Sequence, residues 1–276
     1  MQLPAENRLI PSRSIEFIDT HCHLDMAAFD DDLADVLARA TAAHVTSIVT
    51  IGIDPDSSRR AIALAENYSP IFATIGIHPH DVQHSGEKEY RLLENLYADY
   101  HDYVVGFGEI GLDYVKGYSE PALQRSHFRR QLDLADELKL PVIIHNRQAE
   151  EDTLALLRQA KPLVHGGIMH CFAGDLAFAE KILDLGLLIS IPGIITFKNA
   201  LTLQEVALRI PLSSMVLETD GPFLAPDPYR GRRNEPAYLQ YTARKVAALR
   251  DLDLQTVAAV TTENARKLFN LTERPG

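Results

Sequence analysis

Short runs of β-branched and aliphatic residues recur along the chain at nearly regular spacing, each followed by an amphipathic helical stretch. Runs such as Ser47-Ile48-Val49-Thr50-Ile51 and Val142-Ile143-Ile144 carry little polarity on either face, which suits parallel strands covered on both sides. Strands are predicted over residues 15–23, 45–51, 71–77, 104–114, 141–144, 167–169, 187–191 and 215–217. Helices are predicted over 30–43, 55–68, 87–100, 121–138, 149–159, 176–185, 203–208, 236–249 and 254–269. This alternation defines the α/β class and points to a (β/α)8 TIM-like barrel. A doubly wound open sheet is the structural alternative, but no Gly-rich phosphate loop follows the first strand. No repeat, low-complexity stretch or linker divides the chain, so a single domain is expected over 15–276, preceded by an N-terminal extension, 1–14.

Charge narrows the partners. The chain has 276 residues with 38 acidic and 27 basic side chains, a formal net charge of −11. A protein that coats nucleic acid is normally basic, so any phosphate contact here must come from a local Arg/Lys cluster and metal. No apolar run approaches the ~20 residues of a membrane span. The first 14 residues are polar, include Pro4 and Pro11, and lack the apolar stretch of a secretory signal. A cytoplasmic location is expected. Cys22 and Cys171 are the two cysteines, and structural disulfides are not expected in that compartment.

The polar residues that end the strands carry the chemistry. His21 and His23 close the first strand; side chains at i and i+2 leave one face, so the two imidazoles point together and Cys22 points away. His78 and His80 follow the third strand, Glu109 lies in the fourth, His145 follows the fifth, His170 the sixth and Asp220 the eighth. Singly, His145 or His170 could be a hydrogen-bonded core histidine, and Glu109 or Asp220 a helix cap. In a barrel of this kind all of them converge on the C-terminal mouth, where active sites are built. Four histidines and two carboxylates exceed the needs of one four-coordinate site with an open position. Two divalent ions sharing one carboxylate fit better, with Glu109 as the bridge and Asp220 as ligand and general base. Mixed nitrogen and oxygen donors suit Zn, Mn, Co or Ni and tolerate Mg. Arg147 shares a face with His145 and could grip an anionic oxygen. A later loop concentrates Arg230, Arg232 and Arg233.

These motifs, in order, resemble the TatD-like metal-dependent hydrolases of the amidohydrolase superfamily. The match runs from Phe17 to Leu271 and includes DTHCHLD (19–25), GIHPH (76–80), GEIGLDY (108–114), QLDLADELKLPVIIHNR (131–147), HCFAG (170–174), ETDGPFLAP (218–226) and RGRRNEP (230–236). The resemblance implies a TIM-like barrel, a two-metal site (Mg, Mn or Zn) and phosphodiesterase activity, usually Mg-dependent DNase or 3′–5′ exonuclease action. Carried over by position, it implies that His21, His23 and Asp220 bind the first metal and that Glu109 bridges. His145 and His170 would bind the second, with His78 near the substrate phosphate. The eighth-strand motif usually continues with a residue other than Gly and then Pro-Tyr. Here it reads Gly221-Pro222-Phe223, without the tyrosine hydroxyl.

The expected function is therefore hydrolysis of phosphodiester bonds in DNA, from a 3′ end or in a single strand, with nucleic acid as the substrate partner of a monomeric chain and no membrane partner. Asp220, Glu109 and His78 form the expected catalytic group, with His78 protonating the leaving oxygen. Arg147, Arg232 and His80 are the expected substrate contacts, and affinity would come from phosphate rather than base contacts. Hydrolysis of an amide or ester, such as aminoacyl-tRNA deacylation, is the alternative, because similar sites also attack carbonyl carbon. A non-enzymatic metal-binding scaffold is the third.

Overall fold

Each predicted strand forms, and each pairs in parallel with the next. A computed structural model describes residues 15–160 and 162–271; the expected extension 1–14, and residues 272–276 of the expected domain, lie outside the described residues. The strands are β1 (Phe17–Cys22), β2 (Val45–Thr50), β3 (Ile71–Ile75), β4 (Val104–Asp113), β5 (Val142–Arg147), β6 (Gly167–Met169), β7 (Leu188–Ile191) and β8 (Met215–Leu217). They lie side by side in sequence order in one sheet. The helices between and after them are α1 (Leu33–Ala42), α2 (Pro55–Asn67), α3 (Glu87–Tyr100), α4 (Pro121–Glu137), α5 (Glu150–Gln159), α6 (Leu176–Leu183), α7 (Leu201–Arg209), α8 (Leu239–Arg250) and α9 (Leu254–Phe269). The result is a (β/α)8 barrel in one domain. No helix among the described residues is long and apolar enough to cross a membrane.

The barrel closes at its C-terminal mouth, where the chemistry lies. Beyond the ends of β1 and β8, Cys22 and Gly221 form a parallel bridge. The Asp220 N–H donates to the His21 carbonyl at 2.9 Å, and the His23 N–H to the Gly221 carbonyl at 2.7 Å. Two apolar layers hold the shape. Ile18, Val49, Ile143, Ile168 and Val216, from five strands, form one cluster with Phe269 of α9; side chains from strands so spaced meet only inside the barrel. A larger cluster joins the outer faces, including Ile48, Phe107, Ile144 and Leu217, to helix residues such as Val36, Leu93, Phe128 and Val246.

One glycine brings two site-bearing strands close together. Gly111 of β4 pairs with His145 of β5, has φ +139°, and a Cβ there would lie 2.0 Å from the His145 carbonyl oxygen. A side chain would push β5 away from Glu109.

Element ends differ from expectation where side chains take over backbone partners. The first helix begins at Leu33 rather than Asp30, after a 3-10 turn at Ala27–Phe29, and Asp32 instead binds Arg39 and Arg233. The predicted helix 236–249 splits into a 3-10 turn, Pro236–Tyr238, and α8, since proline fits a helix start but adds no donor. β5 runs on through Arg147, so His145 is a strand residue rather than a loop residue.

Candidate metal centre

Glu109 sits mid-mouth on β4, buried, and its two oxygens face different partners. Oε2 lies 3.4 Å from His21 Nε2 and 3.8 Å from His23 Nε2. Oε1 lies 2.7 Å from His145 Nδ1, 3.0 Å from His170 Nε2 and 3.5 Å from His78 Nε2. On the first side, Asp220 Oδ1 adds a fourth donor atom, 3.8 Å from His21 Nε2 and 3.5 Å from His23 Nε2. The structure thus brings together all six expected ligands and His78.

The donor set suits a cation. His21 Nε2 and His23 Nε2 stand only 3.3 Å apart, so one proton at most can lie between them. Both rings also face carboxylate oxygens, and all four residues are buried. Converging lone pairs shielded from water are what a divalent ion satisfies. The Cys22 thiol stands aside, as alternation implied. Cys22 Sγ lies 3.5 Å from the Gly221 carbonyl oxygen, and burial pushes both cysteines well above their usual range.

Burial and charge divide the histidines. Burial, helped by the neighbouring His170, pulls His21 down to about 3 despite Glu109. Burial likewise lowers His78 to about 4. Burial also acts to lower His23, His145 and His170, but carboxylates outweigh it. Asp220 and Glu109 raise His23, Asp113 and Glu109 raise His145, and Glu109 and Glu218 lift His170 well above its ordinary value. Burial would raise Glu109, yet His170, His78 and His145 around it hold it well below the carboxylate range.

Two carboxylates that were not singled out in the sequence stand behind the second histidine pair. Asp113 Oδ2 lies 3.4 Å from His145 Nε2 and 2.8 Å from His80 Nε2, while its Oδ1 accepts the N–H groups of Val115 and Lys116. Glu218 Oε1 accepts the Cys171 N–H at 2.7 Å and lies 3.4 Å from His170 Nδ1; its Oε2 accepts the Ser190 hydroxyl at 2.6 Å. Glu218 groups with His21 and His170 as a possible ligand, but both its oxygens are engaged behind the His170 ring. Such carboxylates fix which nitrogen faces the ion. In sequence Asp113 carried only its spacing of four from Glu109 on one strand, and Glu218 only its spacing of two from Asp220. Asp113→Asn and Glu218→Gln are each expected to weaken Mn2+ affinity roughly 10- to 100-fold with the fold retained. Calorimetric titration checks this, and wild-type affinity in both variants would remove the orienting role.

The expected substrate contacts lie farther out. Arg147 is exposed at the end of β5. Arg232 is exposed, its guanidinium 5.9 Å from the Tyr229 ring centre. His80, expected to touch substrate, is half-buried and held by Asp113. The other loop arginines are committed elsewhere: Arg233 donates to Asp32 at 2.7 and 2.8 Å, and Arg230 lies over Phe197 at 4.4 Å.

A barrel whose mouth gathers histidines and carboxylates around one shared glutamate has the architecture of a metal-dependent hydrolase. The family model described as TatD related DNase matches residues 18–270, and the chain belongs to that family. It is 42% identical over 253 residues to the uncharacterized metal-dependent hydrolase YabD of Bacillus subtilis strain 168, covering 92% of this chain and 98% of the relative. It is 38% identical over 261 residues to the uncharacterized metal-dependent hydrolase TatD of Mycobacterium tuberculosis, covering 92% and 98%. The crystal structure of YJJV, a TatD homolog from Escherichia coli K12, superposes with a TM-score of 0.89 at 32% identity, covering 94% of this chain and 99% of that one.

Proposed function

We propose that this metal-dependent hydrolase cleaves phosphodiester bonds in DNA, at a 3′ end or in a single strand, with two divalent ions. The observation that carries the reading is the division of Glu109, whose oxygens face separate histidine groups at 2.7–3.8 Å. His21, His23 and Asp220 would hold one ion, His145 and His170 the other, with Glu109 between them. When bound, such a pair neutralises phosphoryl charge and acidifies water. A chain of net charge −11 would otherwise repel a polyanion at this mouth.

The side chains divide the remaining work. Asp220 presents Oδ1 to the histidines, and its carboxylate takes the proton of the attacking water. His78 Nδ1 accepts the His80 N–H at 3.1 Å, so the neutral ring carries its proton on Nε2, toward Glu109. That N–H donates a hydrogen bond to a phosphoryl oxygen. With the ring held down to about 4, orientation suits it better than the leaving-group protonation expected from sequence. Arg147 and Arg232 contact phosphates farther along the strand, and Asp113 fixes the His80 ring at 2.8 Å.

A divalent-metal series on end-labelled single-stranded DNA, with product lengths resolved, tests this. The expected result is chelator-sensitive shortening from the 3′ end with Mg2+ or Mn2+. Cleavage of an aminoacyl ester in parallel, with no DNA product under any ion, would replace the assignment with the carbonyl alternative.

A further inference from the structure

Eight large apolar side chains among the described residues are exposed, and four of them stand at the barrel mouth. Val115 and Tyr118 lie on the loop after β4; Phe223 and Leu224 lie on the loop after β8. In an eight-stranded barrel those two strands are half a turn apart, so the loops face each other across the mouth. Both aromatic rings touch the histidine cluster. The Phe223 ring centre is 6.0 Å from that of His23 at an interplanar angle of 71°, and Tyr118 is 4.8 Å from His80 at 76°. Yet Tyr118 is 54% exposed and Phe223 48%, so a large part of each ring remains open to solvent.

Both loops are held in place. Phe223 N–H donates to the Asp220 carbonyl at 2.8 Å, and buried Asn234 donates from Nδ2 to the Phe223 carbonyl at 2.7 Å. On the other side, Ser119 Oγ donates to the His80 carbonyl at 3.2 Å and Gln124 Nε2 to the Ser119 carbonyl at 2.8 Å. The rings are presented by ordered backbone on both rims.

We propose that Tyr118 and Phe223 are stacking platforms for the unpaired bases on either side of the phosphate that undergoes hydrolysis. The inference rests on the phosphodiester reading above and adds what that site recognises. Whatever settles on these rings is joined to a group lying among His23, Glu109 and His80. A nucleotide has that form, a flat base tethered through its sugar to a phosphate. Base faces are open to an aromatic ring in a single strand and occupied by neighbouring bases in a duplex. The acidic chain has no broad basic field to draw in a strand, and stacking supplies affinity that does not depend on one. The Phe at position 223, which lacks the tyrosine hydroxyl of the family pattern, keeps the ring face that stacking uses.

The test compares wild type, Tyr118→Ala, Phe223→Ala, Tyr118→Phe and Phe223→Tyr on two single strands of equal length. One carries bases throughout, and the other has abasic residues flanking the cleaved phosphate. Each alanine variant is expected to raise KM on the base-bearing strand roughly 5- to 150-fold, with kcat much less affected, and the aromatic replacements to keep the wild-type KM. On the abasic strand wild type is expected to bind as weakly as the alanine variants, which lose nothing further. An unchanged KM in both alanine variants on the base-bearing strand, or an equal added loss on the abasic strand, would overturn the stacking role while leaving the phosphodiester reading in place. Failure of wild type to cleave either strand would remove that reading and the platforms with it.

Discussion

Glu109→Gln is expected to lower metal-supported phosphodiester hydrolysis by at least about a thousandfold. Each bound ion stabilises developing phosphoryl charge by several kcal/mol, and each 1.36 kcal/mol is about tenfold in rate. Glutamine keeps the volume but offers one oxygen where glutamate offers two, so it can serve the histidines on only one side at 2.7–3.8 Å. It also removes the negative charge that first lifts His170 against its burial. The fold should persist, because the barrel rests on the two apolar layers rather than on this carboxylate, and the amide can still donate to a neighbouring imidazole. Metal content per chain, far-ultraviolet circular dichroism and single-turnover hydrolysis together check the prediction. A variant that keeps two ions and falls less than about tenfold in rate would show that Glu109 is not shared.

Raising the pH is expected to destabilise the metal-free protein and so to widen the stabilisation that the ion supplies. Without metal, His23, His145 and His170 have native values above the ordinary 6.5. Their stabilisation is complete below about pH 6.5 and is lost as pH rises through the native values, because the native state then holds protons that the unfolded chain has released. Burial of Asp19, raised from 3.8 to about 7 despite its bonds to Thr219, adds a loss of the same sign. His21 and His78, lowered to about 3 and about 4, oppose this only below pH 6.5. Metal binds the deprotonated donors, so its affinity climbs over the same range. At a thousandfold excess over Kd an ion contributes about 4 kcal/mol, or roughly 8–15 °C in Tm for a domain of this size. Melting in EDTA and in excess Mn2+ should diverge as pH rises above about 6.5, with the EDTA curve falling. A gap that narrows as pH rises would contradict the assignment of these histidines as ligands.

Much of the fold was legible because burial on both faces leaves a strong mark. Val142-Ile143-Ile144 and Ile48-Val49 can hardly be anything but covered strands, and the polar residue after each such run falls at the mouth by topology alone. Contacts that depend on partners distant in the chain were not legible. Asp113 looks like one more acidic residue until β3 and β5 bring His80 and His145 to it. Glu218 is set apart from Asp220 by the Ser190 hydroxyl and the Cys171 amide that occupy its oxygens. The three arginines of the 230–233 stretch read alike in sequence, yet Arg233 is spent on Asp32 and Arg230 on Phe197. Phe223 read as a missing hydroxyl, whereas the structure shows a half-open ring set against His23.

Anomalous diffraction from crystals soaked in Mn2+ tests the shared carboxylate directly. The expected map has two peaks roughly 3.5–4 Å apart, one among His21, His23 and Asp220 and one beside His145 and His170, each in contact with a different oxygen of Glu109. A single peak at full occupancy, or two peaks of which one does not touch Glu109, would contradict it.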